Sequence, residues 1–214
     1  MNIRAEKQRL REKIWNEMEA KGITLFPRPV HGRIPNFIGN EKAAENLRKL
    51  EIYKRARVIF VNPDAPQRKV RENALRDGKM VIMPVPRLKE NFFLLLDPKK
   101  LKGKEREAST IKGAFKLGEK VRLEDLPMID LKIQGSVAVD LNGNRLGKGG
   151  GYGDKECELL LKAGKVKKTS PLITLVHEIQ VVEKVPREEH DFQVDYIITP
   201  ERIIKTKLLS SKSR

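Results

Sequence analysis

The sequence contains a single cysteine, Cys157, among its 214 residues. One cysteine can form neither an internal disulfide nor, by itself, a thiolate metal site, which favours a reducing compartment. The uninterrupted apolar runs, such as Phe92–Leu96, are far shorter than the roughly 20 residues that cross a bilayer. The charged segment Met1–Arg11 also lacks the apolar core of a secretory signal. We therefore expect a cytoplasmic protein that does not associate with a membrane.

Aromatic residues are also few, with 7 Phe, 3 Tyr and 1 Trp, and most of them lie in apolar runs. The exposed aromatic platform on which single-strand binders stack bases is therefore not indicated. The net charge of +16 favours an anionic partner: nucleic acid, a membrane surface, or a small phosphate- or carboxylate-bearing substrate. Lys-rich runs such as Pro98–Arg106 and Lys205–Arg214 are equally typical of solvated loops and termini. RNA thus remains a second candidate partner.

The charged fraction of 35%, with little glutamine, is typical of proteins from hot environments. About 39% of the residues are hydrophobic, enough to build one full core, and no linker or internal repeat divides the chain. We expect a single domain over residues 1–214, as a monomer or homodimer.

The hydrophobic pattern predicts alternating helices and strands. Leu10, Ile14 and Met18 recur every four positions and predict a helix over residues 4–20, on which Lys7 and Arg11 share one face. The proline-rich segment Phe26–Asn36 predicts a packed loop. Further predicted helices are Asn40–Arg55, Gln67–Asp77 and Asp154–Ala163; predicted strands are Val58–Val61, Met80–Val85, Phe92–Leu96, Ile129–Val139, Leu172–His177 and Tyr196–Pro200. This order predicts an α/β fold, a three-layer α/β/α sandwich on a mostly parallel sheet.

The segment Arg145–Asp154 carries the strongest chemical signal, because five of the seven positions from Gly147 to Gly153 are glycine. We call residues 147–153 the glycine loop. Glycines let backbone amides approach an anion, and a helix that starts just after the loop aims its N-terminal amides at the same point. Arg145 and Lys148 supply positive charge, and Asp154 could hold Mg²⁺ between phosphate oxygens. The segment is neither a P-loop nor a G-x-G-x-x-G fingerprint, and the alternative is a flexible glycine loop.

These residues resemble the 5-formyltetrahydrofolate cyclo-ligase (methenyltetrahydrofolate synthetase) family. Arg145–Asp154 is similar to the family pattern Arg-Leu-Gly-x-Gly-x-Gly-Tyr-Tyr-Asp, and Lys7-x-x-Leu-Arg11 to its N-terminal Lys/Arg pair. Gly78–Pro84 also matches, as do Gln180, Pro186, His190, Asp191 and Asp195 near the C-terminus. The segments Val61–Gln67 and Gly135–Val139 resemble more closely the branch of methenyltetrahydrofolate synthase domain-containing proteins.

The resemblance implies a NagB/RpiA/CoA-transferase-like fold and a ring closure that depends on ATP and Mg²⁺. The substrate implied for this ring closure is a formylated folate or pterin, whose formyl oxygen is activated by the γ-phosphate of ATP. The implied nucleotide-binding residues are Lys7, Arg11, Gly147, Lys148, Gly149, Gly150, Gly151, Tyr152 and Gly153. Arg145, Lys148 and Tyr152 would act on the reacting groups, and Asp154 and Asp195 would hold the metal.

Three departures from the family pattern bear on the substrate. Gly153 replaces the second tyrosine of the loop, and Val139 stands where the family has a phenylalanine that lines the folate site. The substrate-binding glutamate has no clear counterpart, and Asp64 is a poor candidate for it. An ATP-binding homologue without folate activity is therefore an alternative, as is a basic RNA-associated protein. The three histidines show no spacing typical of zinc ligands.

Overall fold

A computed structural model describes residues 2–85 and 92–208. Of the predicted basic C-terminal tail, residues 209–214 lie outside the described residues. The helices are α1 Ile3–Ala20, α2 Asn40–Leu47, α3 Glu51–Arg55, α4 Arg68–Arg76, α5 Glu105–Ala108, α6 Ile111–Leu117 and α7 Tyr152–Lys162. The strands are β1 Val58–Val61, β2 Met80–Pro84, β3 Phe92–Leu96, β4 Glu119–Arg122, β5 Leu131–Ile133, β6 Ala138–Asp140, β7 Arg145–Leu146, β8 Leu172–Leu175, β9 Val181–Val182, β10 Tyr196–Ile198 and β11 Ile203–Lys205.

Eight strands form one sheet in the order β11-β10-β8-β5-β1-β2-β3-β4. Its five central strands, from β10 to β2, are mutually parallel, while the pairs at both edges are antiparallel. Alternate side chains of the central strands enter two separate buried clusters: Ile59 and Val61 on one face, Phe60 on the other. Helix α4 covers the first face through Val70, and α7 covers the second through Leu160. The predicted α/β fold is confirmed: the sheet is mostly parallel, and helices cover both of its faces, as a buried parallel sheet requires.

Two predicted elements differ from the structure. The helix predicted over Asn40–Arg55 is interrupted, because Leu50 has an extended backbone (ψ 132°) and separates α2 from α3. The strand predicted over Ile129–Val139 is divided between two sheets: β5 belongs to the large sheet, and β6 to a small sheet of order β7-β6-β9. The ladder stops at Gly135, whose N–H donates to the side-chain oxygen of Asn62. A continuous apolar run in the sequence does not show that its two halves pair with strands of different sheets.

No helix in the described parts of the chain is long and apolar enough to cross a membrane. Helix α1 begins at the cap residue Asn2, whose side chain accepts a hydrogen bond from the Arg4 amide. It buries Ile14, Trp15 and Met18 in the main core, while Lys7 contacts the segment that contains Glu188 and Asp191, and Arg11 contacts the glycine loop.

Candidate functional site

The candidate site lies at the carboxyl ends of β1 and β5, the adjacent strands at which the chain changes direction across the sheet. From β1 the chain builds β2, β3 and β4 to one side, then returns through β5 and builds β8 and β10 to the other side. In open α/β sheets, this switch point is where a crevice for ligands forms. Residues 62–64 follow β1 and residues 134–136 follow β5, so both segments reach this crevice.

A cavity of about 1050 Å³ opens at this point, and the glycine loop runs along it. The cavity brings together eleven of the twelve residues predicted from the sequence. They are Lys7, Arg11, Arg145, Gly147, Lys148, Gly149, Gly150, Gly151, Tyr152, Gly153 and Asp154. A volume of this size is at the upper end of the range for small-molecule sites.

The glycine loop turns into α7 through backbone conformations that side chains disfavour. Gly149 has φ +111°, and Gly151, the residue that caps α7, has φ +66°. Because the loop ends at the first turn of an 11-residue helix, unpaired amides of that turn face the same cavity as the loop. This is the arrangement that binds phosphate at a helix N-terminus.

Arg11 and Lys148, two of the predicted cations, connect the glycine loop to other parts of the site. Arg11 donates from Nε to the carbonyl oxygen of Gly147 at 2.8 Å, and burial lowers the pKa of its guanidinium. Lys148 lies with Nζ 3.3 Å from a carboxylate oxygen of Asp64, across the cavity. Both side chains therefore deliver positive charge to the loop.

Lys7 lies at the rim of the same cavity, but its ammonium group is already paired. Nζ is 2.7 Å from an oxygen of Glu188 and 2.6 Å from an oxygen of Asp191. Burial alone would lower the pKa of Lys7, but the hydrogen bonds that Lys7 donates to these carboxylates outweigh burial and raise the pKa. Phosphate binding by Lys7 would therefore have to compete with two carboxylates. His190 joins them in a group whose potential metal-binding atoms lie within 4.8 Å of one another.

Arg145 connects the end of β5 with the start of α7. It is 7% exposed, donates from Nη1 to the carbonyl oxygen of Gly135 at 3.0 Å, and lies with Nη2 3.5 Å from both carboxylate oxygens of Asp154. Its Nε is buried and finds no acceptor among the described residues. A Cβ at position 153 would lie 2.8 Å from Nη2, so the glycine there leaves room for this guanidinium.

The structure adds a pair that the sequence analysis missed: Asn62 and Glu156. Asn62 donates from Nδ2 to an oxygen of Glu156 at 2.8 Å, and both residues line the cavity. Glu156 is 4% exposed, and burial raises the pKa of its carboxyl group to about 8. One signal in the sequence could have identified Glu156. It lies four positions before the core residue Leu160 on the same helix, so the two residues share a buried face.

Asp195 is the one predicted residue that does not line this cavity. It borders a second cavity of about 470 Å³, and its carboxylate accepts a hydrogen bond from the Leu172 amide at 2.9 Å. The predicted pairing of Asp154 and Asp195 around one metal ion is therefore not visible in the arrangement of these side chains. Val139 likewise lies outside the large cavity and packs in a core cluster with Cys157 and Leu172.

Residues 3–200 match the 5-formyltetrahydrofolate cyclo-ligase family. A methenyltetrahydrofolate synthase domain-containing protein from Bos taurus is 43% identical over 205 residues, covering 94% of this chain and 54% of that protein. The chain thus spans about half the length of this curated relative. A 5-formyltetrahydrofolate cyclo-ligase from Escherichia coli strain K12 is 33% identical over 139 residues, covering 62% of this chain and 69% of that protein.

Among solved structures, the NMR structure of Aquifex aeolicus 5,10-methenyltetrahydrofolate synthetase matches with a TM-score of 0.59. The match covers 93% of this chain and 92% of that chain, at 24% sequence identity. At this level of identity the likeness supports the fold.

Proposed function

Because this chain belongs to the 5-formyltetrahydrofolate cyclo-ligase family, we propose that it is a cyclo-ligase that consumes ATP to close a ring on 5-formyltetrahydrofolate or a related formylated pterin. The products are the 5,10-methenyl compound, ADP and phosphate. The observation that carries the proposal is the cavity at the ends of β1 and β5, in which the glycine loop, the start of α7 and three cations, Arg11, Arg145 and Lys148, meet.

The reaction requires no nucleophile from the protein. The formyl oxygen attacks the γ-phosphorus and ADP leaves. The second folate nitrogen, an N–H on the side chain outside the pterin rings, then attacks the activated formyl carbon and releases its proton to solvent, and the carbon–oxygen bond breaks as phosphate leaves. The protein has to hold the phosphates in line with the formyl oxygen and to neutralise their charge. A rigid cradle of amides and cations suits this task, because its dipoles are oriented before the reaction begins.

Each loop residue has a proposed part in this arrangement. Amides of Gly149–Gly151 and the first turn of α7 bind phosphate oxygens, and Arg11 fixes the loop through the Gly147 carbonyl. When ATP binds, the ammonium group of Lys148 leaves Asp64 and contacts a phosphate oxygen instead. Tyr152, the first residue of α7 and a lining residue of the cavity, orients phosphate or substrate.

The carboxylate of Asp154 suits a magnesium ion, because Mg²⁺ in such sites takes one or two carboxylates together with phosphate oxygens. Asp154 lines the cavity beside the glycine loop, and its contacts with other described residues are long: 3.5 Å to Arg145 and a 3.2 Å hydrogen bond from the Phe192 amide. When bound, the ion would neutralise charge on the phosphates. Asp195 stays a predicted second ligand.

The test follows the absorbance of the methenyl product from 5-formyltetrahydrofolate, ATP and Mg²⁺ with the wild type, Lys148→Met and the control Lys162→Met. Both variants remove one lysine charge, but Lys162 lies at the exposed end of α7, paired with Glu158. We expect turnover by the wild type and the control, and a loss of about tenfold or more in Lys148→Met, because a charge-assisted contact to phosphate is removed. Equal turnover by both variants would contradict the role of Lys148.

A homologue that binds ATP without folate activity is the second candidate, and Gly153 is the observation that favours it. With glycine at this position, the cavity lacks the aromatic ring that the family pattern carries there, and Arg145 occupies the adjacent space. ATP binding by the wild type without a methenyl product would support this candidate.

A further inference from the structure

We propose that Glu156 selects the ring of the substrate, by accepting hydrogen bonds from a heterocycle edge with adjacent N–H groups, such as the 2-amino-4-oxo edge of a pterin. Asn62 is the positioning residue that orients Glu156. The inference rests on the proposed function, because it assigns a ring-binding part to the same cavity. It gives this chain a substrate-binding carboxyl group on α7.

The first argument is the incomplete pairing of the Glu156 carboxyl group. The residue is 4% exposed, yet it lines the cavity. Among the described residues only Asn62 donates a hydrogen bond to it, and no described cation lies within 4 Å of its oxygens. The second carboxyl oxygen is not among the buried atoms that lack a partner, so it is open to the cavity, where a donor on a ligand can pair with it.

The second argument is that the Glu156 side chain is held in place. Asn62 donates to one Glu156 oxygen at 2.8 Å, while its own Oδ1 accepts from the Gly135 amide at 3.2 Å. The Asn62 amide donates to the carbonyl oxygen of Ile133, and the Asn62 carbonyl oxygen accepts from the fully buried guanidinium of Arg71. Asn62 thus bridges the ends of β1 and β5, so the acceptor it presents to the cavity is oriented before a ligand binds.

The third argument is the position of Glu156 relative to the phosphate cradle. Glu156 is five residues beyond Gly151, which places it roughly 7 Å along the axis of α7 from the helix N-terminus. Because helical side chains lean toward the helix N-terminus, the Glu156 carboxyl group faces the part of the cavity next to the glycine loop. A pterin whose formyl group lies at the loop would then bind within reach of Glu156.

The chemistry predicts which rings are accepted. In its ionised form the Glu156 carboxylate accepts hydrogen bonds from the amino group and the adjacent ring N–H of a pterin with its two oxygens, so pterin binding favours loss of the Glu156 proton, whose pKa is raised by burial. Lumazine has the same two rings but carries an oxygen in place of the 2-amino group, so two acceptors would face each other. A site built to pair with an N–H donor discriminates strongly against an analogue that lacks it, because the buried acceptor is left unpaired.

The experiment measures the binding of pterin and lumazine to the full chain by ligand-observed NMR, for the wild type, Glu156→Gln and the control Glu119→Gln. Glu119 lies on β4 at the edge of the sheet, and its side chain forms an exposed ion pair with Lys100. We expect the wild type and the control to bind pterin about tenfold or more tightly than lumazine. The Glu156→Gln variant should lose or invert this preference, because its amide can present N–H groups to the ring.

Each result decides the inference separately from the proposed function. An unchanged preference in Glu156→Gln, or no binding of either ring by the wild type, overturns the role of Glu156, even if methenyl product forms. A preference that depends on Glu156 supports the inference, even if 5-formyltetrahydrofolate gives no product and the proposed function fails. If Glu156→Gln does not fold, as judged by its thermal unfolding, equal binding of pterin and lumazine by the wild type still overturns the inference.

Discussion

The contacts of Lys7 with Glu188 and Asp191 allow a quantitative test of how the cavity rim is stabilised. The ammonium nitrogen lies 2.7 Å and 2.6 Å from the two carboxylates, and the side chains of Lys7 and Asp191 are only 10% and 12% exposed. A charge-assisted hydrogen bond between such groups contributes about 1.5–3 kcal/mol. We expect Lys7→Met and Asp191→Asn each to lower the free energy of unfolding by about 2 kcal/mol. The double variant should lose less than the sum, with a coupling energy of about 1–2 kcal/mol.

A second double-mutant cycle, on Lys162 and Glu158 of α7, is the matched control. Its nitrogen–oxygen distance is 2.6 Å, as short as that of the Lys7–Asp191 pair, but its side chains are 75% and 55% exposed. Water and salt screen such a pair, so its coupling should fall within the error of the measurement. Urea unfolding of the four proteins in each cycle gives both values. Equal coupling energies in the two cycles would refute the prediction that burial makes the Lys7–Asp191 pair stronger than the exposed Lys162–Glu158 pair.

The same contacts predict how this stabilisation depends on pH. Burial would raise the pKa of Asp191, but the Glu188 amide and Lys7 together lower it below its usual value, whereas the pKa of Lys7 is raised. The Asp191 contribution is therefore present above the usual carboxyl pKa and lost as the pH falls through the folded-state value. The Lys7 contribution is present below the usual ammonium pKa and lost as the pH rises through the folded-state value. The stability difference between the wild type and Lys7→Met should thus be largest between about pH 5 and pH 10.

Two further predictions concern the turn before Arg145 and the basic surface. Gly143 has φ +89°, and a Cβ there would collide with the Val194 carbonyl oxygen, so Gly143→Ala should lower the free energy of unfolding by about 2–4 kcal/mol. Gly164→Ala, at φ +67° in open space, should lose only about 1 kcal/mol, and equal losses in urea unfolding would contradict the collision. If the +16 charge alone accounts for RNA binding, affinity should fall steeply with salt and show no sequence preference in a titration. Sequence-selective binding that persists at high salt would instead favour an RNA-associated function.

The helices and the parallel strands were predictable because hydrophobic periodicity reports directly which side of an element is buried. The helix at residues 4–20 and the strand Val58–Val61 agree with α1 and β1. The division of the run Ile129–Val139 was not predictable, because both halves are buried, and only the hydrogen bond from Gly135 to Asn62 ends the ladder. Short edge strands such as β11, whose pattern of exposed residues is weak, were also missed.

The candidate site shows the same limit. Glycine spacing identifies the glycine loop, and helical periodicity puts Lys7 and Arg11 on one face of α1, because these signals are local. Only the resemblance to the family implied that these residues share one site, and the structure places them in one cavity. The partners of Lys7 lie more than 180 residues away along the chain, and no local pattern pairs them. Asn62 and Glu156 are separated by 94 residues and meet only because β1 ends beside the first turns of α7.

The departures from the family pattern on α7 are physically connected. Where the pattern has a second tyrosine, a Cβ at Gly153 would lie 2.8 Å from Nη2 of Arg145 and 3.4 Å from Nε2 of Gln134. The absence of a side chain therefore lets the guanidinium lie against the start of α7, where it contacts Asp154 and, through Nη1, the carbonyl oxygen of Gly135. Glu156, three residues farther along the same helix, then places an acid in a cavity wall that already carries this buried cation. Apart from Tyr152, the cavity wall formed by Arg145 and the first turns of α7 is thus polar, and a ring bound there would be recognised mainly through hydrogen bonds at its edge.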